Sequence, residues 1–266
     1  MNPRITFDFT GRFVLVTGAG QGIGRATALL LAGAGARVAL LGRTSADLDA
    51  VAGEIRAAGG EADTFVADIS RAAAMRDAFA RMRKIYGRLD LVFANAGVNG
   101  VWAPLDELSI DEWDKTVAIN LRGTFLTCKF AVELMPKRGG AIVITSSVNG
   151  TRMFSNTGAS AYATTKAAQV AFARMIALEL APRGIRVNAI CPGAIESSID
   201  DNTTRRDLDD VSYPIKFPAG KVPLTRGKPG RADDVARLAA FLLSDEARHI
   251  TGTEVFIDGA QSLLQG

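Results

Sequence analysis

Two patterns alternate along the chain. Short runs that are almost wholly apolar, at residues 13–17, 37–41, 64–67, 89–94, 141–146, 186–191 and 254–257, have the length and content of strands. Strands without polar alternation are those buried on both faces, as in a parallel sheet. Between them lie longer stretches with apolar positions every three or four residues, at 23–34, 46–58, 72–86, 111–135, 160–182 and 231–243, which predict helices. Gly35, Gly59 and Gly184 stand where helices should stop. Regular strand–helix alternation over the whole length predicts one α/β domain, residues 1–266, with a doubly wound parallel sheet of about seven strands and helices on both faces. Residues 194–230 break the rhythm: they are polar, charged and proline-bearing. A lid or substrate loop is expected at about 194–226.

Composition narrows the partners. The chain has 266 residues, 48% of them apolar, enough for a large core. Its 31 basic and 28 acidic residues nearly cancel, which gives no case for nucleic acid. No apolar run is long enough for a bilayer, and the first residues lack an apolar signal core. A cytoplasmic protein without membrane attachment is expected. Cys128 and Cys191 fit no metal spacing and read as buried thiols. The single His249 lies outside every candidate motif, so no metal site is expected.

The first strand runs into Thr17-Gly-Ala-Gly-Gln-Gly-Ile-Gly24, and a helix follows. Glycines there let the backbone turn sharply and approach a ligand. The helix start offers N–H groups and partial positive charge to a pyrophosphate, so this strand–loop–helix unit predicts dinucleotide binding. The second strand ends in Leu41-Gly-Arg-Thr44. An acidic residue there would suit the ribose 2′-hydroxyl of NAD; Arg43 suits the 2′-phosphate of NADP. NADP(H) is favoured, with NAD(H) as the alternative. Gln21 adds no second basic contact.

Tyr162 and Lys166 stand four residues apart, one helical turn on the same face. An ammonium near a phenol favours the phenolate, so the pair reads as a tuned general acid/base.

Together, Thr-Gly-x-x-x-Gly-x-Gly at 17–24, Asn95-Ala-Gly97, Ser147 and Tyr162-x-x-x-Lys166 resemble the short-chain dehydrogenase/reductase family, over roughly residues 11–260. Asn120, Asp68 and Pro192-Gly193 match further family positions. The resemblance implies a single Rossmann-like domain and an NAD(P)-dependent oxidoreductase moving hydride between nicotinamide and a secondary alcohol or ketone. It implies Tyr162 as acid/base, Lys166 as a ligand of the nicotinamide ribose that lowers the Tyr162 pKa, Ser147 as hydrogen-bond partner of the substrate oxygen, and Asn120 as holder of a proton-relay water. Ser146 is the rival for the Ser147 role; the pattern Ser147-Val-Asn-Gly150 favours Ser147. The implied cofactor contacts are Thr17, Gly18, Gln21, Gly22, Ile23, Gly24, Arg43, Asp68, Ile69, Asn95, Ala96, Gly97, Tyr162, Lys166, Pro192, Gly193 and Ile195. Ser197 or Ser198 would replace the threonine that often contacts the carboxamide.

Substrate should meet Ser147, Asn149 and Tyr162, with Val98, Asn99, Met153, Phe154 and the 194–226 stretch around them. A polyol, sugar or small cyclic or aliphatic substrate is expected, with a 3-oxoacyl-carrier-protein reductase as the alternative. A non-catalytic NADP(H)-binding sensor or scaffold is the alternative of another class, disfavoured by the complete Asn/Ser/Tyr/Lys set. The resemblance also implies a homo-oligomer, dimer or tetramer, built through helices 111–135 and 160–182. The mixed charges at Glu196, Asp200, Asp201, Arg205, Arg206, Asp209, Asp210 and Lys216 read as a solvated face.

Overall fold

The computed structural model describes residues 7–137, 139–196, 203–211 and 222–265. In chain order the elements are β1 (Phe13–Thr17), α1 (Gly22–Gly33), β2 (Arg37–Gly42), α2 (Ser45–Ala57), β3 (Glu61–Val66), α3 (Ala72–Tyr86), β4 (Leu91–Ala94), β5 (Gly100–Trp102), α4 (Ile110–Val117) and α5 (Gly123–Leu134). There follow β6 (Gly140–Thr145), α6 (Ser160–Leu180), β7 (Ile185–Pro192), β8 (Thr203–Arg205), α7 (Ala232–Leu243), β9 (Glu254–Ile257) and α8 (Gln261–Gln265).

Seven strands form one parallel sheet in the order β3-β2-β1-β4-β6-β7-β9. The chain winds outward from β1 to one edge, then restarts at β4 and winds to the other. The crevice at that reversal, beyond the carboxyl ends of β1 and β4, is where such sheets bind ligands. Alternate residues of one strand serve opposite faces. Leu15 joins the core beneath α3, α5 and α6, whereas Val14 and Val16 join the core beneath α1, α2 and α7. Burial on both sides explains the lack of polar alternation. Cys128 and Cys191 are free thiols inside the first core.

Three elements depart from the sequence reading. The third strand begins at Glu61, not at 64. Its early residues are polar because β3 is an edge strand whose charges are answered laterally. Arg37 donates to Asp63 Oδ2 at 2.9 Å, and Tyr86 Oη donates to the same oxygen at 2.9 Å. The long helix expected at 111–135 is two helices with a π-helical turn, Ala118–Arg122, between them. Ser109 and Glu112 start α4 with a reciprocal capping box. Lastly, the irregular stretch carries a strand, β8, which pairs in parallel with β5 apart from the main sheet. Its base is closed by Glu196 N donating to Gly230 O at 2.9 Å and Gly230 N donating to Ala194 O at 2.9 Å.

Candidate active site

The Gly-rich loop is shaped by contacts that allow no side chain. Gly18 has φ +65°, and a Cβ there would stand 3.0 Å from Ala96 Cα. A Cβ on Gly24 would fall on the Gly18 carbonyl. α1 can therefore start directly under the end of β1. Its first turn holds no acidic residue, and Gln21 at its N-cap makes no capping bond. The first N–H groups of α1 are left for an anion. Thr17 Oγ1 accepts from Asn95 N and Ala96 N, both at 3.0 Å, and Asn95 Oδ1 accepts from Thr145 Oγ1 at 3.1 Å. These bonds lock the ends of β1, β4 and β6 across the switch point.

One cavity of about 410 Å³ runs from this loop to the Tyr/Lys pair. Gly18, Gln21, Gly22 and Ile23 line one end; Asn95, Ala96 and Gly97 lie along it; Ser147, Tyr162, Lys166, Pro192, Gly193 and Ile195 line the other end. A smaller cavity of about 140 Å³ is lined by Arg43, Asp68, Ile69, Gly97 and Ile119. Thr17 and Gly24 line neither cavity; they shape the loop from behind. Burial would raise the Asp68 carboxyl, but two hydrogen bonds from Ser70 and the charges of Arg43 and Arg71 outweigh it, leaving Asp68 below its usual range.

Helix α6 brings Tyr162 and Lys166 to the wall facing Ser147, which follows β6. All three are nearly buried. Ser146 is committed elsewhere: its Oγ donates to Lys166 O at 2.7 Å. Lys166 Nζ lies 5.5 Å from the Tyr162 ring centroid and donates to Thr145 O at 2.9 Å. Burial pushes the Tyr162 phenol up to about 12, against the pull of a hydrogen bond with Ser147. Burial also lowers the Lys166 ammonium to about 8, with Cys191 opposing. Desolvation outweighs the depression of the phenol expected from Lys166. The pair is a phenol and an ammonium that gives up its proton more readily than a free lysine.

Asn120 sits in the π-helical turn and is fully buried. Its Oδ1 accepts from Val98 N at 2.9 Å, and its Nδ2 donates to Val98 O at 2.9 Å and to Thr165 Oγ1 at 3.1 Å. Its carbonyl accepts from Gln169 Nε2 at 2.9 Å and from Thr124 Oγ1 at 2.7 Å. A π-turn frees a carbonyl from the regular ladder, and side chains claim it here. Asn120 thus braces the loop after β4 against α6. Gln169 went unremarked in the sequence, where a polar residue amid alanines reads as surface.

The substrate end differs from expectation in several places. Met153 and Asn149 line the cavity, but Phe154 is 72% exposed and Val98 borders the smaller cavity instead. Phe154 lies just past a tight turn in which Met153 N bonds back to Val148 O, and that turn buries Met153 while leaving Phe154 exposed. Asn99 Nδ2 donates to Thr203 Oγ1 at 2.7 Å, so this amide fastens β8. Asn149 Oδ1 accepts from Asn156 Nδ2 at 2.8 Å. Trp102, Asn156, Pro229 and Gln261 also line the cavity and carried no sequence signal. Gln261 Oε1 accepts from Ala194 N at 2.7 Å, closing the C-terminal segment onto Gly193. Arg206, though partly solvated, also pairs with Glu112 Oε1 at 2.8 Å and Oε2 at 3.0 Å. Ser197, Ser198, Asp200, Asp201, Lys216 and the Asp210 side chain lie outside the described residues.

This sheet, cradle and buried Ser/Tyr/Lys cluster define a dinucleotide-dependent oxidoreductase of the doubly wound class. The comparisons agree. A family model described as Enoyl-(Acyl carrier protein) reductase matches residues 18–260. Levodione reductase of Leifsonia aquatica is 38% identical over 261 residues, 97% of this chain and 96% of the relative. The solved structure of a 3-ketoacyl-ACP reductase from Sinorhizobium meliloti 1021 is 54% identical, with TM-score 0.90, covering 95% of this chain and 99% of that one. A short-chain dehydrogenase from Burkholderia cenocepacia J2315 in complex with NADP is 34% identical (TM-score 0.83, 95% and 98% covered). A 3-ketoacyl-(acyl-carrier-protein) reductase from Brucella melitensis complexed with NADH is 30% identical (TM-score 0.83, 96% and 100% covered). The chain belongs to the short-chain dehydrogenase/reductase family. It is an NAD(P)-dependent oxidoreductase acting on a secondary alcohol or ketone.

Proposed function

We propose that the chain is an NADP(H)-preferring reductase and dehydrogenase of a small cyclic, polyol or sugar-like ketone/alcohol, with Asn120, Ser147, Tyr162 and Lys166 as its working set. The carrying observation is the single cavity that joins the Gly-rich loop to Ser147, Tyr162 and Lys166. The glycine contacts at Gly18 and Gly24 and the uncapped α1 fit a pyrophosphate. Arg43 would hold a 2′-phosphate, Asp68 and Ile69 the adenine side, and Lys166 the nicotinamide ribose. The nicotinamide, when bound, supplies or accepts the hydride.

The chain's own residues move the proton. In reduction, Tyr162 donates its phenolic proton to the substrate oxygen as that oxygen gains negative charge; in oxidation it takes the proton back. The high phenol pKa keeps Tyr162 in the acid form that reduction needs. Ser147 Oγ donates to the same oxygen, a fixed dipole aimed at developing charge. Lys166 supplies positive charge beside the phenol. Asn120 holds the loop that carries Gly97, whose Cβ position lies 3.6 Å from Lys166 Nζ.

A 3-oxoacyl-carrier-protein reductase is the second reading, favoured by the 54% identity to the Sinorhizobium meliloti structure. The 194–226 segment is read as a substrate lid, the chain as a cytoplasmic homo-oligomer. Exposed Phe125, Met175 and Leu178 on α5 and α6 support a helix-mediated contact between subunits. The test is a paired assay, NADPH against NADH, over cyclic ketones, sugars and an acetoacetyl thioester of N-acetylcysteamine. NADPH-dependent reduction of the ketones or sugars upholds the first reading, and preference for the thioester upholds the second. Cofactor binding without any turnover overturns both.

A further inference from the structure

Segments remote in the chain converge on Trp102. Its ring stands 6.3 Å from the Tyr162 ring, centroid to centroid, tilted by 37°. On the indole lies the Arg205 guanidinium, its carbon 5.2 Å from the ring centroid. Trp102 Nε1 donates to Asn99 O at 3.3 Å, which fixes the ring's direction. The backbone is held as firmly. β5 pairs with β8 at Gly100↔Thr203, Val101↔Thr204 and Trp102↔Arg205. The next residue, Ala103, donates its N–H to Gly158 O at 3.3 Å, and a Cβ on Gly158 would stand 2.7 Å from Ala103 N. Arg206 ties the same strand to Glu112 and to the Glu107 carbonyl.

A rigid aromatic plate therefore lines the cavity beside the proton donor. We infer that Trp102 is a specificity-determining residue: it selects a flat, ring-shaped ketone or secondary alcohol over the same carbonyl on a flexible open chain. A ring lying against the side of the indole that borders the cavity makes its contact at once, with little conformational freedom to lose. An open chain makes the same contact only after several bonds are fixed, each at an entropic loss. The Arg205 guanidinium on the indole and the Nε1 bond to Asn99 O favour this orientation of the ring. This deepens the proposed function and rests on it for the reaction.

The test compares 2-decalone with decan-2-one, both ten-carbon ketones, on the wild type, Trp102→Ala and Trp102→Phe. Calorimetric titration of each ketone into the enzyme–NADPH complex accompanies the rates, and melting temperatures confirm that the variants fold. Wild type is expected to prefer 2-decalone, and Trp102→Ala to lose roughly 10- to 100-fold in its kcat/KM, carried by KM. Decan-2-one should be little affected, and Trp102→Phe should keep most of the preference. An equal loss on both ketones, or a wild type that prefers decan-2-one in rate and binding, overturns the inference while leaving the reductase intact. Ring-selective binding that depends on Trp102 without turnover of any ketone upholds the inference and overturns the proposed reaction. Neither turnover nor ring-selective binding overturns both.

Discussion

The two ends of the main cavity are built differently. The phosphate end comes from one continuous segment, Thr17–Gly24, where contacts between backbone atoms demand glycine. The substrate end comes from β5, the turn after Ser147, Asn156, β8 and the residues around Pro229 and Gln261, spread over most of the chain. The first end presents backbone to the cavity, so its shape is written locally. The second presents side chains that only the fold assembles, and these can change one at a time.

The largest effect should fall where the ends meet. Tyr162→Phe keeps the ring that packs on Trp102 but removes the proton, so kcat should fall roughly 10³-fold with the cofactor dissociation constant unchanged. Steady-state rates with equilibrium cofactor titration check this; a near-normal rate would remove Tyr162 from the mechanism. At the phosphate end, Gly24→Ala should destabilise the fold by about 3 kcal/mol in urea denaturation and weaken cofactor binding, because its methyl meets the Gly18 carbonyl. A stable variant with normal affinity would show that the loop is less tightly built than its contacts say.

Lys166 links both ends, and its burial is unfavourable. The unfolded ammonium titrates at about 10.5 and the folded one at about 8. Below pH 8 both states are protonated and the folded state bears the full penalty, about 3 kcal/mol. As pH rises from 8 to 10.5 the folded group loses its proton first, the penalty fades and stability rises. Lys166→Met also loses the bond to Thr145 O, worth about 1 kcal/mol. The Lys166→Met variant should thus be the more stable by about 2 kcal/mol at pH 7, with the gap closing by pH 10. Paired denaturation curves at the two pH values read this; a gap independent of pH would exclude the titration.

The smallest effect should be at the adenosine side. Arg43→Ala should raise the KM for NADPH roughly tenfold and leave that for NADH nearly unchanged. Equal changes for both would deny Arg43 the 2′-phosphate.

The legibility of the sequence follows the same divide. Gly18, Gly24, Ser147, Tyr162 and Lys166 stand in short motifs, and a doubly wound parallel sheet follows from apolar runs that alternate with helices. What escaped depends on partners far away in the chain. Trp102 is a lone aromatic until Arg205 and Tyr162 are brought to it. Glu61 and Asp63 read as loop until Arg37 and Tyr86 answer them. Gln169 reads as surface until the π-turn presents a carbonyl. The depressed phenol pKa expected from spacing alone omitted burial, the larger influence.

The crossed hydrogen bonds between Ala194, Glu196 and Gly230 have a bearing on descent. They stitch the two margins of the irregular stretch together before it leaves the sheet, as a hem holds the sides of a pocket in cloth. Inside the hem the stretch is tied to the rest of the fold at β8, which pairs with β5, and at Arg206, which meets Glu112. An exchange of this insert between proteins sharing the frame would have to keep those two ties or replace them.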